Sequence, residues 1–123
     1  RFDHVLVDAP CSGTGTLRRN PEIKWRLRAS DLDEFTKNQK FILHHSSDAV
    51  KKGGHLIYST CSVLSCENEE VIGHFLKSHP DFSVIHPLTG FFEPLMDSRG
   101  FLRTYPHRHS MDGFFCALLK RRN

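Results

Sequence analysis

The sequence predicts an α/β domain built on a parallel sheet. Short apolar runs that end in turn residues alternate with longer stretches of helical period, in the order strand, helix, strand, helix, strand. That alternation is the mark of parallel strands joined by right-handed crossovers. The 123 residues, 38% hydrophobic and 25% charged, are enough for one core and too apolar for a disordered chain.

The first strand is Phe2 to Asp8, around the run Val5-Leu6-Val7, and Pro10 stops it. From Ala9 to Ala29 no period is evident, and a loop of that length in a compact domain is usually functional or disordered. A helix is predicted from about Asp31 to Lys52. Ser30 is its expected N-cap, with Asp33 three positions on. Leu32, Phe35, Gln39, Ile42, Leu43, Ser46, Ala49 and Val50 lie at helical spacing. Lys51 and Lys52 suit the negative end of the helix dipole, and Gly53-Gly54 supplies the stop. His55 to Thr60 is the second strand. Ser65 or Cys66 opens a second helix, to Ser78, with Glu67, Glu69 and Glu70 in its first turn and Val71, Ile72, Phe75 and Leu76 as its apolar stripe. Phe82 to His86 is a third strand, Pro87 to Asp112 a long connection, and Gly113 to Leu119 a final strand.

Charge is informative in its distribution. Seventeen Lys and Arg against fourteen Asp and Glu give a net +3, too little to point to nucleic acid. Between Arg18 and Arg28, however, Arg18, Arg19, Lys24, Arg26 and Arg28 face the single acid Glu22. Lys120-Arg121-Arg122 reads as a solubilising tail. No apolar run is long enough to span a membrane, and no export signal pattern is present, so a cytoplasmic location is expected. The four cysteines form no C-x-x-C pair and are expected to be thiols. The nine histidines lack partners at zinc spacing, so no metal is expected.

Two loops carry the candidate chemistry. In an open α/β sheet, ligands sit beyond the carboxyl ends of the strands. Asp8-Ala9-Pro10-Cys11 lies at that end of the first strand and Thr60-Cys61-Ser62 at that end of the second. If the two strands are neighbours, Asp8, Cys11 and Cys61 converge on one crevice. A cysteine is nucleophilic as its thiolate, which helix N-termini and nearby cations favour. Cys61 precedes the second helix and Cys11 a basic loop, so both environments favour thiolate. Position alone also allows both to be small buried hydrophobes, which is the reading adopted for Cys66 and Cys116. Gly13-x-Gly15 lacks the third glycine and the lysine of a phosphate loop.

Longer motifs narrow the reading. Asp8-Ala9-Pro10-Cys11-Ser12-Gly13-Thr14-Gly15-Thr16-Leu17-Arg18-Arg19 with Pro21 and Trp25, then Tyr58-Ser59-Thr60-Cys61-Ser62 with Glu67-Asn68-Glu69, then Asp112-Gly113-Phe114-Phe115, closely resemble the RsmB/Sun family of S-adenosylmethionine-dependent RNA cytosine-5 methyltransferases. The resemblance runs over essentially the whole chain and implies the following. Cys61 is the nucleophile that adds to cytosine C6. Cys11 assists breakdown of the adduct after methyl transfer. Asp8 touches the cofactor side of the site and the polar edge of the cytosine. A polar partner at that edge stabilises the charge developed by addition, and the base must be unpaired or flipped out. The loop from Ser12 to Arg28 is the expected RNA contact, with Arg18, Arg19 and Lys24 on phosphates and Trp25 stacked on a base; otherwise Trp25 packs on the core.

The same resemblance implies a Rossmann-like methyltransferase sheet, mostly parallel, in which the last strand is antiparallel and inserted between its neighbours. Residues 1–123 are then expected to be the C-terminal part of the catalytic domain, without the N-terminal half that holds most of the cofactor site, and inactive alone. The substrate is expected to be ribosomal or transfer RNA. The alternatives are a non-catalytic RNA-binding module and a DNA cytosine-5 methyltransferase, whose nucleophile lies in the Pro-Cys motif; Thr60-Cys61-Ser62 argues against the second. The strand Phe2 to Asp8 is expected to expose an edge through which two copies could form a homodimer.

Overall fold

A computed structural model describes residues 1–86, 93–105 and 112–123. Its strands are β1 (Phe2–Asp8), β2 (Val50–Thr60), β3 (Phe82–Val84), β4 (Leu102–Thr104) and β5 (Phe114–Arg121), and its helices α1 (Ile23–Arg26), α2 (Ala29–Ser47) and α3 (Glu69–Ser78). The sheet order is β1-β2-β5-β3, with β4 also on β5. β1 and β2 are parallel neighbours, with Val5 opposite Leu56 and Val7 opposite Tyr58. β5 runs antiparallel to both β2 and β3 and lies between them. The expected inserted antiparallel strand is therefore present.

Alternation sorts the sheet into two faces. Val7, Leu56, Tyr58, Phe115, Ala117 and Leu119 are buried on the face that α2 and α3 cover, together with Leu43, Val71, Ile72 and Phe75 from those helices. Each Val, Leu, Ile and Phe side chain among them contributes about 1.5–3 kcal/mol by leaving water. The residues between them, His4, Leu6 and Asp8 on β1 and His55, Ile57 and Ser59 on β2, share the opposite face. There Leu6 is exposed, as is Phe2 at the start of the edge strand. Among the described residues, no helix is long and apolar enough to cross a membrane.

Several element limits differ from the sequence reading. The first long helix begins at Ala29, and its start is closed by Asp31, whose carboxylate accepts the Arg28 N–H at 3.0 Å; Ser30 lies inside the first turn. The helix ends at Ser47, and Val50, Lys51 and Lys52 belong to β2. Val50 is fully buried opposite Phe2, and its carbonyl accepts Arg121 Nη1 at 2.7 Å, so pairing overrides helical spacing there. Gly53-Gly54 does not stop the helix. Gly53 has φ 80° inside the irregularity between the Phe2 and His4 pairings, where a left-handed residue lets the strand bulge.

The second predicted helix begins with a 3-10 turn, Ser65–Glu67, and α3 proper starts at Glu69. Its predicted stripe of Val71, Ile72 and Phe75 is buried. The third strand is shorter than expected and the last runs two residues further, to Arg121. β4 lies within the stretch read as a connection, of which residues 87–92 and 106–111 fall outside the described residues.

Candidate active site

Asp8 ends β1 and Cys61 follows β2, and the parallel pairing of these strands sets their ends side by side: Asp8 is opposite Ser59. The antiparallel β5 brings its first residues to the same rim, since Phe115 pairs with Thr60. Backbone bonds stitch the rim together. Gly15 N–H donates to Cys61 O at 2.8 Å, and Gly113 N–H donates to Gly15 O at 2.7 Å. The approach at Gly15 leaves no room for a side chain, because a Cβ would stand 2.1 Å from Gly113 O and 2.7 Å from Cys61 O.

This places Cys11 Sγ 3.2 Å from Cys61 Sγ, fifty residues away in sequence. Cys61 is exposed and Cys11 half-buried. Burial, reinforced by the hydrogen bond with Cys61, pushes the Cys11 thiol up to about 12. The expectation that its basic loop favours a thiolate is therefore overturned. Two of the loop's arginines lie beside Asp112 while staying more than half exposed: Arg19 Nε is 2.6 Å from Asp112 Oδ2, and Arg18 is 3.8 Å from the same carboxylate. Cys11 is accordingly held as a thiol within hydrogen-bond distance of the Cys61 sulfur. Burial also raises the thiols of Cys66 and Cys116, both of which are half-buried.

Beneath the cysteines lies a buried polar network absent from the sequence reading. Glu67, which the sequence places in the first turn of the second helix, is fully buried below the rim. Its carboxylate accepts the Ser12 N–H at 2.8 Å, the Ser12 hydroxyl at 2.7 Å, Gln39 Nε2 at 3.3 Å and a short bond from the Ser62 hydroxyl. Gln39, counted in the helical stripe, also donates to Pro10 O at 2.9 Å. Thr14 Oγ1 meets Ser62 Oγ at 3.2 Å and accepts the Val63 N–H at 3.2 Å. Asn68 accepts the Thr60 hydroxyl at 2.7 Å and donates to Ser62 O at 2.9 Å. The available signal was the clustering of Ser, Thr, Glu and Asn beside both cysteines, residue types that need partners once buried.

The remaining predicted residues are spread along the rim. Asp8 is exposed and accepts one long bond, from Ser59 Oγ at 3.4 Å. An exposed carboxylate at the carboxyl edge suits an amino or hydroxyl donor. Trp25, on α1, is 82% exposed and does not pack on the core. Lys24 Nζ lies 5.5 Å from the Trp25 ring centre, a cation beside an open aromatic face.

An antiparallel strand inserted into a parallel sheet, with reactive groups along the carboxyl rim, defines a Rossmann-like methyltransferase fold, and solved structures of this type superimpose on it. The crystal structure of PH0851 matches with a TM-score of 0.88 at 43% identity, covering 97% of this chain and 26% of that one. NSun6 from Pyrococcus horikoshii, solved with the S-adenosylmethionine analogue SFG, matches with a TM-score of 0.78 at 26% identity over 96% of this chain and 29% of its own. The 16S rRNA methyltransferase RsmB/F family model covers residues 1–120, and the chain belongs to that family. A probable ribosomal RNA small subunit methyltransferase B from Bacillus subtilis is 41% identical over 98% of this chain. The chain spans 28% of that relative's length.

Proposed function

We propose that this chain supplies the cytosine-binding part of an S-adenosylmethionine-dependent RNA cytosine-C5 methyltransferase acting on ribosomal or transfer RNA. The observation that carries the reading is the pair of sulfurs 3.2 Å apart, one exposed and one half-buried and protonated. Cys61, as thiolate, bonds to C6 of an unpaired cytosine, and the C5–C6 electron pair moves to C5. S-adenosylmethionine, when bound, supplies the methyl group that C5 takes. The C5 proton then passes to a solvent base, its bonding pair restores C5–C6, and the C6–Sγ bond breaks. The Cys11 thiol donates to the departing Cys61 sulfur, stabilising the charge that develops there. Asp8 holds the polar edge of the base and the cofactor side of the site.

Arg18, Arg19 and Lys24 contact RNA phosphates and Trp25 stacks on a base. As the chain spans 28% of its Bacillus subtilis relative, transfer is assigned to the complete enzyme, and the 123 residues alone are expected to be inactive. The outer edge of β1, where Phe2 and Leu6 are exposed, is the proposed contact for a second copy of the chain.

Cys61→Ser in the complete enzyme tests the reading. A hydroxyl is a far weaker nucleophile here, and labelled methyl transfer to RNA should fall by on the order of a thousandfold or more. Normal turnover would remove Cys61 from its role. RNA retained by the complete enzyme, with no cofactor affinity and no transfer, would favour a binding module.

A further inference from the structure

We infer that Glu67 is a positioning residue that holds Cys11 against Cys61, an inference resting on the reading of those thiols as the reacting pair. A buried carboxylate requires donors for its lone pairs. Glu67 takes them from both cysteine loops: Oε1 accepts the Ser12 N–H, and Oε2 accepts the hydroxyls of Ser12 and Ser62. Ser12 follows Cys11 and Ser62 follows Cys61. One side chain therefore fixes the residue next to each sulfur. Gln39 adds a second hold on the first loop, because Nε2 bridges Glu67 Oε1 and the carbonyl of Pro10, the residue before Cys11.

Glu67 is itself anchored to the strand beneath. The Tyr58 hydroxyl donates to its carbonyl at 2.7 Å, and Asn68, the next residue, bonds Thr60 and Ser62. The rigid end of β2 thus sets the carboxylate, and the carboxylate sets the loops. A carboxylate suits the place better than an amide. The groups converging on it are donors, and a glutamine would turn an NH2 toward one of them. The backbone bond from Gly15 to Cys61 O and the rim contact at Gly113 keep the loops adjacent; Glu67 fixes the finer separation of the sulfurs.

Thiol–disulfide equilibrium with glutathione reads that separation directly. Cys11 and Cys61 give two electrons to one oxidised glutathione; one Sγ–Sγ bond forms and two reduced glutathione molecules leave. The equilibrium constant is the effective concentration of one thiol at the other, and peptide mass maps the bond. Glu67→Gln should lower it by about tenfold or more, and Ser62→Ala, which leaves the carboxylate and its other donors, by about threefold. Alkylation of Cys116, half-buried in β5, reports general opening and should stay at the wild-type rate. If Glu67→Gln does not fold, Ser62→Ala carries the test. An unchanged constant in a folded variant would overturn the inference. So would a fall matched by equal loss of Cys116 protection, since Glu67 would then only stabilise the fold. Neither RNA nor methyl donor enters this assay, so its failure leaves the methyltransferase reading to Cys61→Ser.

Discussion

The loops that follow β1 and β2 each carry one cysteine to the same rim, yet they are built to different ends. The first is long: it passes through a 3-10 turn at Thr14–Thr16 and the short α1, exposes Trp25, and keeps Cys11 half-buried. The second is short: Cys61 stands exposed, and within a few residues the chain turns inward at the buried Glu67. Two identical side chains thereby acquire unlike chemistry. One sulfur stands exposed, whereas burial and a hydrogen bond raise the other thiol. Residue type alone does not separate the two thiols; the depth at which each loop holds its cysteine does.

The seam between the loops is where the contrast breaks most easily. Gly15→Ala would press a methyl group into Gly113 O and Cys61 O, which are backbone atoms and cannot swing aside. The substitution should cost about 1–3 kcal/mol in denaturant unfolding. It should also depress methyl transfer by the complete enzyme beyond what its stability loss explains, because the sulfurs separate.

Alkali sharpens the difference between the cysteines. The folded Cys11 thiol is raised from 9.0 to about 12, so its contribution to stability is complete below about pH 9 and is lost as pH rises through about 12. Tyr58 and Cys116 are raised as well and act in the same direction. Unfolding midpoints should therefore decline with pH across that window, and less steeply in Cys11→Ser. Equal slopes would show that Cys11 is not held protonated by the fold.

The smallest effect on stability belongs at the tip of the first loop. With Trp25 82% exposed, Trp25→Ala should change stability by within about 0.5 kcal/mol. If the ring stacks on a base, RNA affinity of the complete enzyme should fall by about 1–3 kcal/mol, read by filter binding at fixed salt. Unaltered affinity would leave that tip without a role in binding.

Much of this arrangement is legible in the sequence, for definite reasons. Val5-Leu6-Val7 ending at Pro10, and His55 to Thr60 ending at Cys61, are runs too short for helices, and parallel pairing of consecutive strands then brings Cys11 and Cys61 together. The end of α2 is not legible, because Val50 fits the helical stripe as well as it fits a strand; its burial opposite Phe2 decides, and that is a tertiary contact. β4, three residues long, is too short to show a period. Glu67 resembled an ordinary first-turn acid, because a preference for the helix dipole and a demand for buried donors leave the same letter in the sequence. Only the fold, by bringing Ser12, Gln39 and Ser62 around it, separates the two.

The unequal roles of the two cysteines are tested most directly by trapping the covalent RNA adduct. The complete enzyme carrying Cys11→Ser, incubated with RNA and S-adenosylmethionine and run under denaturing conditions, should accumulate a protein–RNA species that resists detergent and heat. Cys61→Ser, alone or added to Cys11→Ser, should give none. An adduct that persists in Cys61→Ser and disappears in Cys11→Ser would reverse the assignment and contradict the account.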